Sequence, residues 1–227
     1  MKYVLSLIAG MCAGVALFLL TLWYNPFYDS PKVSPLAVAD YPLMDLNYSA
    51  APSDAIAYTD DGSSYSPPAP GGIVELWEPT IRKTRILVTA VERQDGEAGL
   101  GIKFSSQSES TRLLRGQALT DTAWHIWLPG SGSFFVGQTE NLWSYLRNIV
   151  LPVRLGSGDS WRGSWHGIVT SGPRALGTAN AWGGSGRYAE LDSEALESWT
   201  ARAWSEAAGP VAMTGILTIA VPEQAGD

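Results

Sequence analysis

The feature that most constrains this chain is an uncharged stretch over residues 3–24. It contains no Asp, Glu, Lys or Arg, and Lys2 is the only charged residue before it. As a helix rising 1.5 Å per residue, the stretch would be roughly 33 Å long, which matches a hydrocarbon core about 30 Å thick. The sequence therefore predicts a transmembrane helix over residues 3–24 that contacts the lipid bilayer, with the rest of the chain tethered to the membrane.

A cleaved export signal is the alternative for this stretch. Such a signal has an apolar core of about 7–15 residues, with a small-residue cleavage site close behind it. Here the apolar stretch is longer, and the nearest Ala-x-Ala, Ala37-Val38-Ala39, lies well beyond its end. These features favour an uncleaved, single-pass anchor.

The flanking charges predict the orientation of the anchor. Lys2 precedes the stretch, whereas Asp29, Lys32 and then a series of further aspartates follow it. The positive-inside rule then places residues 1–2 in the cytoplasm. We therefore expect the C-terminal domain to lie outside the cytoplasm, on the periplasmic side of a cell envelope.

One face of the predicted helix carries small residues. Ser6, Gly10 and Gly14 are spaced four apart, which aligns them on the same side of a helix. Small residues with this spacing let two helix backbones approach closely. The face is a candidate for self-association, although glycine is also common in membrane spans without such a role.

Composition excludes several classes of function. The net charge is −7 and the 15 Lys and Arg are scattered, whereas a nucleic-acid surface needs them clustered, so no nucleic acid is expected as a partner. The one cysteine, Cys12, lies inside the apolar stretch. Thiolate zinc sites, disulfides and cysteine nucleophiles are therefore excluded from the rest of the chain. We predict no cofactor and no metal.

The chain after the anchor divides into three parts. Residues 25–72 are rich in Pro and Asp and predict an extended linker. Residues 73–222 predict a β-rich folded domain, and residues 223–227 a disordered tail. The β signal is carried by short apolar segments bounded by turn residues at 73–77, 85–92, 100–105, 111–114, 122–128, 133–137, 161–169 and 211–221.

Two segments of the domain carry a helical pattern instead. Residues 140–151 have apolar residues three and four apart, with Thr139 as a candidate cap and Pro152 as a stop. Residues 192–208 begin with the capping types Asp192 and Ser193 and end before Gly209-Pro210. The expected inward face of this second helix includes Leu196 and Trp199. The predicted fold is a transmembrane helix plus a mainly antiparallel β domain, sandwich-like or α+β, with two helices.

Candidate catalytic residues are few. His125 and His166 each lie in a predicted strand beside a tryptophan, and no ligand spacing supports a metal site around them. Serine occurs in three Gly-Ser-Gly triplets, around Ser131, Ser157 and Ser185, and none of them has the strand and helix that flank a nucleophile elbow. A Ser/His hydrolase is the minor alternative. The sequence predicts no catalytic residue and no enzyme.

The ten tryptophans are the remaining functional signal. Trp77, Trp143 and Trp199 are expected in the core. Five others lie among glycines: Trp124, Trp127, Trp161, Trp165 and Trp182. They can be further core residues, or they can line an exposed groove that binds a lipid, a glycan or a protein. On the predicted strand 161–169 the indoles alternate with Gly163 and Gly167, so the rings can lie flat on bare backbone.

These observations lead to one hypothesis with an alternative. An anchor, a linker and an acidic β domain without catalytic residues indicate a tethered scaffold or accessory subunit. Such a subunit binds other envelope proteins and can also self-associate. The layout, and the layout alone, is similar to that of bitopic accessory subunits of bacterial secretion machines. The alternative is a lipid- or glycan-binding module whose groove is lined by Trp and Gly.

Overall fold

The structure is a computed structural model that describes residues 2–23, 41–59, 63–65, 74–75, 78, 82–156 and 158–221. Helix α1 spans Lys2–Trp23. Within it, Lys2–Thr21 is long and apolar enough to cross a membrane by length and composition, criteria that a signal sequence near the N-terminus also meets. The Ser6, Gly10 and Gly14 positions lie exposed on this helix. A Cβ built at either glycine has no neighbour within 4 Å.

The rest of the described chain is dominated by antiparallel strands. Their bounds are β1 (Leu43–Ser49), β2 (Ala57–Thr59), β3 (Ser63–Tyr65), β4 (Val74–Glu75), β5 (Thr84–Arg93), β6 (Ala98–Gln107), β7 (Leu119–Leu128), β8 (Gly132–Asn141), β9 (Ser160–Ile168), β10 (Ala179–Gly186), β11 (Asp192–Ser205) and β12 (Gly209–Ala220). The predicted class is confirmed: an N-terminal apolar helix followed by a mainly antiparallel β domain with two helices.

The sheet closes into a barrel through β1. One edge of β1 pairs with β12 along its whole length, and the other edge pairs with β5 over residues 46–48. The ring therefore runs β1-β12-β11-β10-β8-β7-β6-β5 and back to β1, eight strands in all. Strands β2, β3 and β4 continue from the edge of β5, and β9 pairs with the second half of β11. Closure leaves the eight ring strands with an inside and an outside.

The two ends of the barrel differ. At the end where β1 begins, here called the proximal end, tight connections join β5 to β6, β7 to β8 and β10 to β11. At the opposite, distal end lie the loop after β1, the β11–β12 hairpin and a helical segment. That segment consists of α2 (Trp143–Tyr145), one π-helical turn (Leu146–Val150) and α3 (Leu151–Leu155).

The helical segment lies close to the predicted helix 140–151, with different ends. Glu140 still belongs to β8, and the helix continues through Pro152, which sits in the first turn of α3, where its missing N–H is tolerated. Thr139 does not cap it. Instead the side-chain oxygen of Asn141 accepts a 3.0 Å hydrogen bond from the backbone N–H of Trp143.

The second predicted helix, 192–208, is wrong. These residues form β11, the longest strand, and its buried residues alternate with period two as Ser193, Ala195, Glu197, Trp199 and Ala201. Leu196, expected on the inward face, points outward. Pairing with β12 on one edge and with β10 and β9 on the other outweighs the local capping signals. Gly209-Pro210 lies at the β11–β12 hairpin, where Gly209 has φ +67°.

Several other boundaries differ from the sequence prediction. Residues 43–59 of the predicted linker 25–72 contain β1 and β2, whereas residues 24–40 lie outside the described part. The predicted strand 111–114 is a bridge followed by a 3₁₀ turn, Leu113–Arg115, and β10 has no counterpart among the predicted strands. Of the predicted strand 73–77 the structure describes only β4, and Trp77 lies outside the described residues. The predicted tail 223–227 also lies outside them.

Candidate functional site

The barrel contains a cavity of about 880 Å³ at its distal end. Such a volume lies toward the upper end of the range of small-molecule pockets, which is about 300–1,000 Å³. Much of its wall is apolar or aromatic, including Tyr58, Leu87, Leu142, Tyr145, Trp199 and Met213. Inside the barrel the cavity meets polar side chains from three strands, Tyr48 of β1, Lys103 of β6 and Glu140 of β8. We call these three residues, with Glu197 and Gln138, the buried polar cluster.

A lysine and two glutamates form the centre of the buried polar cluster. The Nζ atom of Lys103 lies 2.7 Å from Oε1 of Glu140 and 2.5 Å from Oε1 of Glu197. The three side chains are 5%, 1% and 0% exposed. They face inward because each occupies an inward position of its strand, next to buried neighbours such as Trp124 on β7. Charges this deeply buried persist only when they are paired and hydrogen-bonded.

Glu197 accepts hydrogen bonds from five side chains. The Nε1 atoms of Trp124 and Trp199 donate at 2.9 Å and 2.6 Å. The Tyr48 hydroxyl and the Gln138 amide also donate, and the Lys103 ammonium is the fifth donor. Both carboxylate oxygens of Glu197 are therefore used by the protein itself.

Glu140 accepts hydrogen bonds from the described residues of the protein at only one of its two carboxylate oxygens. Its Oε1 accepts from Lys103 and, at 2.8 Å, from the Gln138 amide. Among the residues that the structure describes, no side chain hydrogen-bonds to the other oxygen, Oε2, and Glu140 lines the cavity. One carboxylate oxygen of the cluster is thus available to a molecule inside the barrel.

Burial and charge shift the pKa values of the cluster in different directions. Burial raises the pKa of Glu140 to about 7, with a further contribution from Glu197 that Lys103 only partly offsets. Burial opposes ionisation of Glu197 as well, but Lys103 and the donated hydrogen bonds outweigh it, and the pKa of Glu197 is lowered. Burial alone would lower the pKa of Lys103, whereas the two carboxylates together raise it. Glu140 is therefore the member of the cluster that titrates near neutral pH.

Glu140 gives the fold a testable pH dependence. Its pKa is about 7 in the folded chain against an ordinary value of 4.5, so between these values only the folded state holds the proton. Stability contributed by Glu140 therefore falls as pH rises through this window, by about 3 kcal/mol in total. Glu140→Gln, which resembles the protonated acid, should remove this component. Urea unfolding of the full-length protein in detergent at several pH values measures it.

The comparison between variant and wild type isolates Glu140 from the other groups that titrate in this range. At low pH the two proteins should have similar free energies of unfolding, and above neutrality the variant should be the more stable. Identical pH profiles for the two proteins would contradict the assigned pKa. The lowered pKa of Glu197 acts in a different window, because its contribution is lost only as pH falls below its ordinary value of 4.5.

The five tryptophans of the predicted groove do not lie together. Trp124 is inside the barrel, 1% exposed, and belongs to the core. Trp161 and Trp165 lie on β9, half-buried, where a Cβ at Gly163 or Gly167 would come within 2.7 Å or 2.8 Å of their rings. The rings thus lie on bare backbone, as the alternation suggested. Trp143 and Trp199 are buried, as expected.

Trp127 and Trp182 lie on the outside of the barrel and belong to a larger surface. The outward positions of β5, β6, β7, β8 and β10 form cross-strand rows, and the central row consists of Val88, Ile102, His125, Phe135 and Trp182. Together with its neighbouring rows this surface, here called the apolar wall, consists of Ile86, Val88, Ala90, Leu100, Ile102, Phe104, Ala123, His125, Trp127, Phe135 and Trp182. None of these residues is Asp, Glu, Lys or Arg.

Aromatic rings order the centre of the apolar wall. His125 stacks on Phe135 with ring centroids 4.7 Å apart, and Phe135 stacks on Trp182 at 5.9 Å. Trp127 and Trp182 remain 50% and 44% exposed. By contrast, the outward positions of β1 and β11 are mostly polar, with Asp45, Asn47 and Glu194 among them. The barrel therefore has one apolar outer side.

The candidate hydrolase residues are placed apart from one another. His125 lies on the apolar wall, and His166 lies on β9, where its Nδ1 is 3.0 Å from the Thr200 hydroxyl. Ser131 donates to Glu97, and Ser185 contacts Ser133. In the described part of the chain no three His, Cys, Asp or Glu side chains form a group that could hold a metal.

The buried polar cluster has no counterpart among the residues singled out from the sequence. Lys103 lies two residues after Gly101 and therefore on the same, buried face of β6. A charged residue on the buried face of a predicted strand is a sequence signal that could have indicated the cluster. Glu140 and Glu197 instead fall within the predicted helices 140–151 and 192–208, where acidic residues toward the N-terminal end are ordinary. The three residues come from distant strands, and no local spacing joins them. Comparison of the chain with known protein families, with curated proteins and with solved structures finds no match.

Proposed function

We propose that this protein is a membrane-tethered binding protein whose barrel takes up one small amphipathic molecule. The distal cavity is the observation that supports this function most directly. It joins an apolar, aromatic wall to the buried polar cluster, which is the usual combination in small-molecule sites. This function corresponds to the lipid- or glycan-binding alternative from the sequence, with the binding site inside the barrel instead of in a Trp–Gly groove.

The size of the cavity supports uptake rather than simple core packing. An eight-stranded barrel has an interior just wide enough to be filled by side chains or to hold one small ligand. Here the interior toward the proximal end is filled by large residues, including Ile126, Leu128 and Phe134. Toward the distal end the cavity extends instead between strands and helical segment. A second pocket, of about 660 Å³, lies at the rim of the proximal end, beside Leu43, Asp95 and Leu191.

The cavity opens at the end opposite the start of β1. Its lining includes Ala50, Tyr145 and Gly209, all at the distal end, whereas the chain from α1 enters the barrel at Leu43 of the proximal end. The chain between Trp23 and Leu43 can reach roughly 65 Å when fully extended.

The test uses a matched pair of serines on β6. Ser105 faces the cavity, whereas Ser106 lies at the next, outward position. The full-length protein in lipid nanodiscs is titrated by calorimetry with 4-phenylbutylamine, 4-phenylbutanol and 4-phenylbutanoate, after subtraction of empty nanodiscs. We expect at least one probe to bind. Ser105→Phe should abolish the binding by filling the cavity, and Ser106→Phe should not.

The control is the folding of both variants, followed by circular dichroism and urea unfolding. Loss of binding in folded Ser105→Phe with binding kept in Ser106→Phe supports the cavity as the site. No binding of any probe to the wild type, or equal binding by both variants, argues against uptake by the barrel.

A tethered scaffold is the second candidate, and the apolar wall supports it. An apolar wall with exposed Trp127 and Trp182 is typical of a protein-binding surface. The partner that this proposal commits to is a second copy of the chain, because α1 also carries the small-residue face of Ser6, Gly10 and Gly14. Tethering to one membrane raises the effective concentration of two such surfaces.

Oligomeric state tests the scaffold. Chemical cross-linking of the full-length protein in nanodiscs should yield dimers, and a Trp127→Ser, Trp182→Ser double variant should lose most of them. Ile216→Ser, an outward change on the other side of the barrel, is the matched control and should keep them. A wild type that stays monomeric argues against this role. So does a pull-down from extracted membranes that returns neither a second copy of the chain nor another envelope protein.

A further inference from the structure

We propose that the molecule held in the cavity carries a protonated amine that donates a hydrogen bond to Oε2 of Glu140. This inference rests on the proposed uptake of a small molecule by the barrel and adds the chemical class of its polar end. The remainder of the molecule is apolar or aromatic, to match the wall formed by residues such as Leu87, Tyr145 and Trp199.

The charge balance of the buried polar cluster is the first argument. Lys103 supplies one positive charge and faces two carboxylates, Glu140 and Glu197. With both glutamates ionised the cluster has one negative charge in excess, and all three side chains are at least nine-tenths buried. A buried charge without a partner is costly, so a cation inside the cavity would be favoured. An ammonium group supplies that cation.

The placement of hydrogen-bond donors is the second argument. Glu197 already accepts from five side chains, which leaves it no place for a ligand. Glu140 accepts at Oε1 only, from Lys103 and Gln138, and is 1% exposed while lining the cavity. A molecule that binds here must therefore donate to Oε2. A carboxylate cannot donate and would be repelled.

Aromatic rings around the cluster suit a cation as well. Lys103 Nζ already lies 4.8 Å from the ring centroid of Trp199 and 5.2 Å from that of Trp124. Trp199 also lines the cavity, next to Tyr145, with ring centroids 5.8 Å apart. A second ammonium group beside these faces would gain the same cation–π attraction.

Basic residues at the cavity mouth do not reverse the preference. Lys83, Arg85 and Arg154 line the mouth, with Glu206 among them, and all four are exposed. Water and salt screen such charges over about 8–10 Å. The excess charge of the buried cluster is screened much less, so it determines which polar group is held inside.

The preference should depend on pH. The groups that face Glu140 are Lys103 from β6, Glu197 from β11 and Tyr48 from β1, and only Glu140 has a pKa near neutrality, raised by burial to about 7. Glu140 must lose its proton to pair with an ammonium group, which itself stays protonated below about pH 10. Amine affinity should therefore rise roughly tenfold from pH 6 to pH 8.

The experiment compares three probes that differ only in their polar end. Calorimetry on the full-length protein in nanodiscs gives Kd for 4-phenylbutylamine, 4-phenylbutanol and 4-phenylbutanoate. We expect the amine to bind most tightly above neutral pH. Glu140→Gln should weaken the amine about tenfold or more and remove its pH dependence, with little effect on the alcohol. Glu206→Gln, at the mouth, is the matched control and should leave the preference intact.

The outcomes separate the inference from the function on which it rests. Absence of binding by all three probes overturns the uptake itself. Equal binding of amine and alcohol, or tightest binding of the carboxylate, overturns the amine while the uptake stands. An amine preference that survives Glu140→Gln, in a variant that folds as judged by urea unfolding, overturns the assignment to Glu140.

Discussion

Replacing Lys103 by methionine should lower the free energy of unfolding by about 3–5 kcal/mol above neutral pH. The variant keeps a side chain of similar length but removes the positive charge that lies 2.7 Å from Glu140 and 2.5 Å from Glu197. Two carboxylates would then remain buried without a cation. Urea unfolding of the full-length protein in detergent, followed by tryptophan fluorescence, measures the loss.

The pH at which the loss is measured provides an internal control. Below about pH 5 Glu140 is protonated in the folded wild type, so the variant should lose less there. Lys83→Met, at the exposed mouth of the cavity, is the matched variant and should change stability by about 0.5 kcal/mol or less. A Lys103→Met protein as stable as the wild type at every pH would show that the ion pairs do not support the fold.

Replacing Glu197 by leucine should have a comparable or larger effect, about 4 kcal/mol or more. Five donors from Tyr48, Lys103, Trp124, Gln138 and Trp199 lose their common acceptor. Each unsatisfied buried donor costs about 1–3 kcal/mol, and the leucine gains back only part of this through its apolar surface. Purified yield and urea unfolding of the full-length protein measure the effect.

Two further variants keep this prediction decisive if Glu197→Leu fails to fold. Glu197→Gln retains one acceptor oxygen and should fall between wild type and leucine. Glu194→Leu, outward on the same strand and bonded to Arg174 at 3.2 Å, should cost about 1 kcal/mol or less. Equal losses at positions 194 and 197 would contradict the central role of Glu197.

Local sequence signals were sufficient for about half of the barrel. The β5–β6 hairpin was predicted because its apolar, β-branched segment is followed by Gln94-Asp95-Gly96, and Gly96 indeed takes φ +85° in the turn. Strands β7, β8, β9 and β12 were also predicted, because each is bounded by Gly, Pro or Ser. The information needed for these strands lies within ten or so residues.

Long-range pairing accounts for what the sequence did not reveal. In β11 the capping residues and the Leu196–Trp199 spacing favoured a helix, yet three neighbouring strands fix it as a strand. Strand β1 was hidden among prolines and aspartates, although Met44, Leu46 and Tyr48 alternate along it. Prediction of the buried polar cluster would have required the positions of both β6 and β11, since Lys103 and Glu197 are 94 residues apart in the sequence. Without the register of β6 against β11, their proximity could not be foreseen.

The closure of the barrel by β1 also bears on how the protein folds. The first ring strand pairs with the last, and Asp45 bonds to Thr218 across 173 residues of chain. Contacts of such high sequence separation make folding slow, because loop-closure entropy is lost before the contacts form. The barrel therefore cannot close until β12 has been synthesised. Until then both edges of β1 are unpaired, and in a nascent chain they must be kept from pairing with the strands of other chains.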